Sequence, residues 1–323
     1  MKEEAISILK KYHQEHILEY NLSEKQQQEL EKQILSIDFE QLQNLYESTK
    51  QEKVIEEKKI EHIPYTDKAK MPKEQEQELA NIGTEVIKQG HYAVITMAGG
   101  QGTRLGHKGP KGTYALDTVN GKKYIFEIII DKLKKAKEEY GVTIPWYVMT
   151  SKDNHDEAVW FLENNNYFGY EKDKIKFFKQ GELPLIDTQG RVILDENVRI
   201  KEAADGNGGI YEAFAKSGLL DELKQKQTDW IFVSGIDNIL SNFVDSILLG
   251  LTIKENNVIA SKSVAKAYPQ ERVGVFCKMN GKPKIIEYID LPEEMAEELA
   301  ENGELMYGDV NIGTYLYNRS VLE

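Results

Sequence analysis

Residues 93–113 read AVITMAGGQGTRLGHKGPKGT, and no other stretch limits the possible folds as much. An apolar, β-branched run (Val94, Ile95, Thr96) stops abruptly at Ala98-Gly99-Gly100-Gln101-Gly102-Thr103. Glycine lets a ligand approach the main chain. A chain that leaves a buried strand through such a loop presents backbone N–H groups at the strand's carboxyl end, where α/β sheets bind ligands. Arg104, Lys108 and Lys111 follow within the same loop, with Lys122 beyond it. Backbone donors joined by Arg and Lys make a phosphate site, so the loop predicts a nucleotide or a sugar phosphate as ligand.

Two commoner glycine motifs do not fit. The dinucleotide fingerprint needs glycine where Leu105 stands, and the P-loop needs a Gly-Lys pair preceded by a glycine five residues earlier. What remains is G-G-x-G-T-R-L-G-x-x-x-P-K over residues 99–111. Composition sharpens this. The chain of 323 residues carries a net charge of −13, which argues against a nucleic-acid or anionic-membrane partner. Within so acidic a protein, a local cluster of cations points to an anionic ligand. No apolar run approaches the ~18 residues of a membrane span. The N-terminal MKEEAISILKKYHQEH lacks the apolar core of a secretory signal. With Cys277 as the one cysteine, no internal disulfide forms, and the expected compartment is the cytoplasm.

Along the chain, residues 1 to about 50 read as helical. Ile6, Ile8, Leu9, Tyr12, Ile17, Leu18 and Tyr20 form an apolar stripe that Leu30, Ile34, Leu35, Leu42 and Leu45 resume. Ser23 and Gln26 fit a capping box. Residues 51–74 are charged, contain Pro64 and Pro72, and read as a connector; 75–89 form a further helix. From residue 92 strands and helices alternate, the pattern of an α/β sheet. Strands are predicted at 93–98, 145–150, 174–179, 229–234, 257–264, 272–278, 284–288 and 310–317, and helices at 124–140, 153–165, 207–224 and 242–254. The acidic run 293–304 reads as a solvated helix, and no internal repeat is evident.

Some residues carry chemistry by type and place. Gln180 follows a predicted strand, and its amide both donates and accepts, as the imide edge of uracil requires; a surface glutamine is the alternative. Asp205-Gly206-Asn207-Gly208-Gly209 opens a predicted helix, whose N-terminus favours an anion, although Asp and Asn also serve there as plain caps. Asp237 follows the apolar strand Trp230-Ile231-Phe232-Val233. Its carboxylate suits a phosphate-bridged Mg²⁺, against the alternative of a turn aspartate. Glu287 either accepts hydrogen bonds from sugar hydroxyls or is an edge-strand glutamate in water. His13 and His16 are too few for a zinc site. Ser151, Ser234 and the histidines form no nucleophile–base pattern.

These motifs together resemble the UDP-sugar pyrophosphorylases, a uridylyltransferase family, and Asp205 to Gly209 resembles the D-G-N-G-G motif of its UDP-N-acetylglucosamine branch. Phe177 to Gly181, Gly235 to Leu240, Glu271 to Val275, Ile285 to Tyr288 and Asn311-Ile312 agree in order, so the resemblance runs from about residue 60 to the end. It implies a Rossmann-like nucleotide-diphospho-sugar transferase fold with a mixed, mostly parallel sheet, in an α/β domain over 75–323 behind a helical N-terminal appendage and connector over 1–74. It also implies a small C-terminal domain, supplying a lysine near the phosphates, which this sequence is expected to lack.

By the same resemblance, the nucleotide contacts Ala98, Gly99, Gly100, Gly102, Thr103, Arg104, Lys111, Gln180 and Gly208. Gly99 and Gly100 face the uracil, and Arg104 and Lys111 act on the triphosphate as the catalytic pair. Asn207, Asp237, Gly274, Glu287 and Asn311 contact the sugar, with Asp237 also the metal ligand. The expected reaction joins UTP and N-acetylglucosamine 1-phosphate, with Mg²⁺, into UDP-N-acetylglucosamine and pyrophosphate. The alternatives are the glucose, galactose or N-acetylgalactosamine congener, or a chain that binds UTP or UDP-sugar without turnover. A glycosyltransferase of related fold would need a D-x-D pair, and Asp237 is followed by Asn238-Ile239.

Overall fold

Buried apolar residues at consecutive positions give strands that helices must cover on both faces, and the computed structural model is built this way. It describes residues 1–50, 59–119 and 121–323; residues 51–58 of the expected connector lie outside them. The helices are α1 (Glu3–Lys11), α2 (Glu24–Ser36), α3 (Phe39–Lys50), α4 (Lys73–Lys88), α5 (Ile125–Tyr140), α6 (His155–Asn164), α7 (Ile210–Lys216), α8 (Leu219–Gln225), α9 (Ser246–Lys254) and α10 (Glu293–Glu297). The strands are β1 (Ile60–Glu61), β2 (Tyr92–Met97), β3 (Ala115–Thr118), β4 (Gly121–Tyr124), β5 (Trp146–Thr150), β6 (Ile175–Lys179), β7 (Glu182–Pro184), β8 (Glu202–Ala204), β9 (Trp230–Gly235), β10 (Ile259–Ala265), β11 (Val275–Met279), β12 (Lys282–Ile286) and β13 (Asp309–Asn318). They fall into two compact units, one of residues 1–56 with 181–208 and one of 57–180 with 209–323.

The second unit is organised by a mixed sheet in the order β1-β11-β13-β9-β2-β5-β6, with β10 on β13 and β12 on β11. Strands β9, β2, β5 and β6 run parallel, and β13 joins β9 antiparallel. Alternate residues divide between two cores. Tyr92, Val94, Trp146, Val148, Trp230 and Phe232 face α5 and α6, whereas Ala93, Ile95, Tyr147, Met149, Ile231 and Val233 face Ile210, Phe214, Leu219 and Leu223 of α7 and α8. On the first face α4 and α9 cross at backbone contact. A Cβ on Gly83 would lie 2.0 Å from Ser246 O, and one on Gly250 1.9 Å from Leu79 O. Glycine is required at both positions.

The predicted strands recur with boundaries shifted by up to three residues. Four expectations change. The helix expected at 207–224 is split, because Gly218 adopts φ +77° between α7 and α8. The helix expected from 242 starts at Ser246, where the Asp245 carboxylate accepts from the Ile247 and Leu248 amides. The acidic run is helical only over Glu293–Glu297, after which Leu299 bridges Leu305. Glu287 lies just past the end of β12.

In the first unit the N-terminal helicity comes in pieces, α1, a short 3₁₀ turn at Glu15–Glu19, α2 and α3. Ser23 and Gln26 form the capping box. Of the predicted stripe, Leu9, Ile17, Leu30, Ile34 and Leu42 are buried while Leu18, Tyr20, Leu35 and Leu45 are exposed. Val192 and Ile200 complete that core. They belong to two successive coils that do form a short repeat. Asp187 accepts from the Gln189 and Arg191 amides and the Arg191 side chain, and Asp195 does the same with Asn197 and Arg199. One glutamine amide clamps each coil. Gln14 bonds Gly190 O and Val192 N, and Gln33 bonds Ile200 O and N.

Candidate functional site

Sheet register decides which loops become neighbours. Met97 is level with Met149 and Gly235, and Thr150 with Lys179. Four chain segments therefore leave the parallel block side by side, starting at Ala98, Ser151, Gln180 and Ile236. Because β13 runs antiparallel with Thr314 opposite Ser234, residues 311–313 lie just beyond the end of β9. The sequence-predicted residues of the second unit collect along this edge.

The loop after β2 is cross-braced. Gln101 bridges Pro110, the Gly102 amide donates to Gly109 O at 2.8 Å, and the Lys111 amide donates to Gly100 O at 3.1 Å. Asn154, fully buried at the start of α6, anchors the loop from outside. Its Nδ2 donates to Ala98 O at 3.0 Å and Gly100 O at 3.4 Å, and its Oδ1 accepts from the Ser151 amide at 2.8 Å. His107 Nε2 lies 2.7 Å from Thr113 Oγ1, whose hydroxyl donates to Pro110 O. The ring nitrogen is therefore the donor. Gly112 is pinned beneath the Phe126 ring, 2.3 Å from where a Cβ would stand. Sequence reading missed Asn154 and His107. An Asn three residues after a Ser at a strand end is a signal for the first; nothing local marks the second.

These braces place the predicted groups. Gly99 lies against the Gln180 carboxamide, whose Oε1 is 2.6 Å from the position of a Cβ on Gly99. Gly100 lies over the Lys111 side chain. Thr103 opens an exposed 3₁₀ turn that carries Arg104 into solvent, with no ion-pair partner among the described residues. Lys108 and Lys122 are also exposed.

Lys111 crosses to the next loop. Its Nζ contacts both carboxylate oxygens of Asp237, at 2.7 and 2.9 Å. Lys111 is mostly covered, whereas the Asp237 side chain is 66% exposed. The carboxylate thus already holds a cation, the lysine ammonium. A hard oxygen donor open to water fits a Mg²⁺ ion that keeps most of its waters. Among the described residues no group of three or more His, Cys, Asp or Glu gathers for a metal.

At the other end, Gly274 O accepts from the Asn311 amide at 2.9 Å, and a Cβ on Gly274 would stand 3.0 Å from Glu287 Oε1. Gly274, Glu287 and Asn311 are therefore neighbours although 13 and 24 positions separate them in sequence. Asn311 Oδ1 accepts from the Gly313 amide and the Tyr315 hydroxyl, both at 3.0 Å. Its Nδ2 has no hydrogen-bond partner among the described residues. Asn207 and Gly208 are exposed and belong to the first unit.

Parallel strands ending in a glycine loop, a lysine–carboxylate pair and a row of sugar-sized polar groups define a Rossmann-like nucleotide-diphospho-sugar transferase fold. The comparisons agree. Residues 37–311 match the family model described as UTP–glucose-1-phosphate uridylyltransferase, and the chain belongs to that family. It is 36% identical over 246 residues to the UDP-N-acetylglucosamine pyrophosphorylase of Saccharomyces cerevisiae, covering 75% of this chain and 51% of that protein. It is 34% identical over 264 residues to UDP-N-acetylglucosamine diphosphorylase 2 of Arabidopsis thaliana, covering 77% and 52%. The crystal structure of the uridine diphosphate N-acetylglucosamine pyrophosphorylase from Trypanosoma brucei in complex with inhibitor superposes with a TM-score of 0.81 at 29% identity, covering 100% of this chain and 68% of that one. The chain spans about half the length of the curated relatives it matches. Among the described residues no helix is long and apolar enough to cross a membrane.

Proposed function

We propose that this chain carries the uridylyl-transfer site of an enzyme that makes UDP-N-acetylglucosamine and pyrophosphate from UTP and N-acetylglucosamine 1-phosphate. The observation that carries the reading is the Lys111–Asp237 pair at the carboxyl ends of β2 and β9, beneath the glycine loop. Names of relatives at 34–36% identity favour the acetylated sugar over glucose, as does the Asn311 amide nitrogen, unpartnered among the described residues.

Gly99, Gly100 and the Gln180 amide receive the uracil. Arg104, without an ion-pair partner among the described residues, forks onto the triphosphate oxygens, and Lys111 adds a point charge. Thr103 with the backbone of Ala98 and Gly102 completes the phosphate cradle. Gly274, Glu287 and Asn311 hold the sugar so that its 1-phosphate oxygen stands in line with the α-phosphorus. That oxygen forms the new P–O bond while the bond to the β-phosphate breaks and pyrophosphate leaves. Both reactants are polyanions, so positioning and charge stabilisation suffice and no covalent nucleophile is required. Asp237 would hold a Mg²⁺ ion, which would supply further positive charge at the phosphates. The cytoplasm suits a chain whose one cysteine, Cys277, is buried and unpaired. The partners are UTP, the sugar phosphate and the UDP-sugar, without nucleic acid or membrane.

Pyrophosphate release from UTP and Mg²⁺, with N-acetylglucosamine 1-phosphate beside a glucose 1-phosphate control, tests the reading. Turnover with the acetylated sugar alone is expected. Turnover with glucose 1-phosphate instead assigns the other congener, and saturable UTP binding without turnover assigns a binding module.

A further inference from the structure

Lys132 lies on α5, and its ammonium ends beside the loop that carries Asp237. Nζ donates to Ile239 O at 2.5 Å and to Ser241 O at 2.7 Å, and stands 5.5 Å from the centroid of the Phe243 ring. Burial and the nearby Lys262 both push its pKa down, so a positive charge is costly at this place. No ion pair compensates it among the described residues. Two of its three donors are spent on the two carbonyls instead. An apolar side chain would fill such a position at lower cost. What the ammonium provides is the path of the loop.

That loop is held from the other side as well. Asn238 Nδ2 donates to Ile312 O at 3.3 Å and reaches Thr314 Oγ1 at 3.4 Å, and Ser241 Oγ lies 3.1 Å from Thr314 Oγ1. At its two ends the Ile236 amide donates to Met97 O, and Phe243 O accepts from the Tyr92 hydroxyl. Between the β13 anchors and the α5 anchor, the Asp237 side chain is itself exposed and among the described residues bonds Lys111 alone. It sits two residues before the first carbonyl that Lys132 clamps.

We propose that Lys132 is a positioning residue for Asp237, fixing the loop so that the carboxylate is placed for a divalent cation. The proposal rests on the uridylyltransferase reading of the site. It is tested by calorimetric binding of UTP to the full chain across a Mg²⁺ titration, with UMP binding in the absence of metal as reference. Lys132→Met should raise the Mg²⁺ needed for half-maximal UTP binding about tenfold, the usual scale for losing a group that orients a metal ligand, and leave UMP binding unchanged. Lys132→Arg, which keeps charge and donors, should restore the wild-type requirement. A Lys132→Met protein that melts lower yet keeps the wild-type Mg²⁺ requirement overturns the proposal and leaves Lys132 a stabilising residue. If Lys132→Met does not fold, Lys132→Gln is measured the same way and decides. A wild-type chain that binds no UTP at any Mg²⁺ concentration overturns the uridylyltransferase reading, and this proposal with it.

Discussion

The two ends of the candidate site in the second unit are built by opposite means. At the end assigned to phosphate, one continuous loop of residues 98–113 supplies most of the groups, and buried side chains outside it (Asn154 and Phe126) hold it rigid. At the end assigned to sugar, Gly274, Glu287 and Asn311 come from three separate segments and meet through strand register. The first end concentrates charge and should control affinity and rate. The second carries no cation and should control which sugar is accepted.

Substitutions can break this contrast. Lys111→Ala should lower turnover by roughly a hundredfold or more, the scale for removing a preorganised group that stabilises developing charge; steady-state pyrophosphate release measures it. Arg104→Ala should weaken UTP binding in the same direction and leave the melting temperature unchanged, since the side chain has no partner among the described residues. A fall in stability would mean that Arg104 braces the loop instead. Asn154→Ala tests the brace itself. It strips hydrogen bonds from Ala98 O, Gly100 O and the Ser151 amide, and denaturant unfolding should register a loss of about 2–3 kcal/mol.

Gly112→Ala drives a methyl group into the Phe126 ring and should cost about 1–3 kcal/mol. Adding Phe126→Leu should recover part of it, and the double-mutant cycle reads that coupling. The smallest effect belongs to the sugar end. Gly274→Ala should raise the KM for the sugar phosphate by roughly tenfold, the low end for one extra methyl group in a pocket, and leave UTP binding intact. Equal losses for UTP and sugar phosphate would dissolve the distinction between the two ends.

The glycine-rich loop was legible because its information is local. A strand that ends in glycines and is followed by Arg104 and Lys111 can be read from one window of sequence. Uninterrupted apolar runs likewise marked β2, β5 and β9, since those strands are apolar on both faces. Other features had no local trace. The break at Gly218 sits in a run that otherwise continues as helix, and its conformation follows from how α7 and α8 pack. The coils at 187–199 look like a turn-rich connector until Gln14 and Gln33, far away in sequence, clamp them. Lys132 looks like any solvated helix lysine until two carbonyls of the Asp237 loop arrive beside it.

The sequence by itself determined which segments become strands and helices, and which loop bears the cations. Both follow from short-range preferences of residues close in the chain. The tertiary structure alone decided that Lys111 meets Asp237, that Gly274, Glu287 and Asn311 converge, and that Asn154 and Lys132 hold the loops around them. Those contacts depend on strand order and register, and many chain arrangements could satisfy the local preferences equally well. Burying both faces of β2, β5 and β9 at the centre of the sheet selects the arrangement that brings these residues to the same edge.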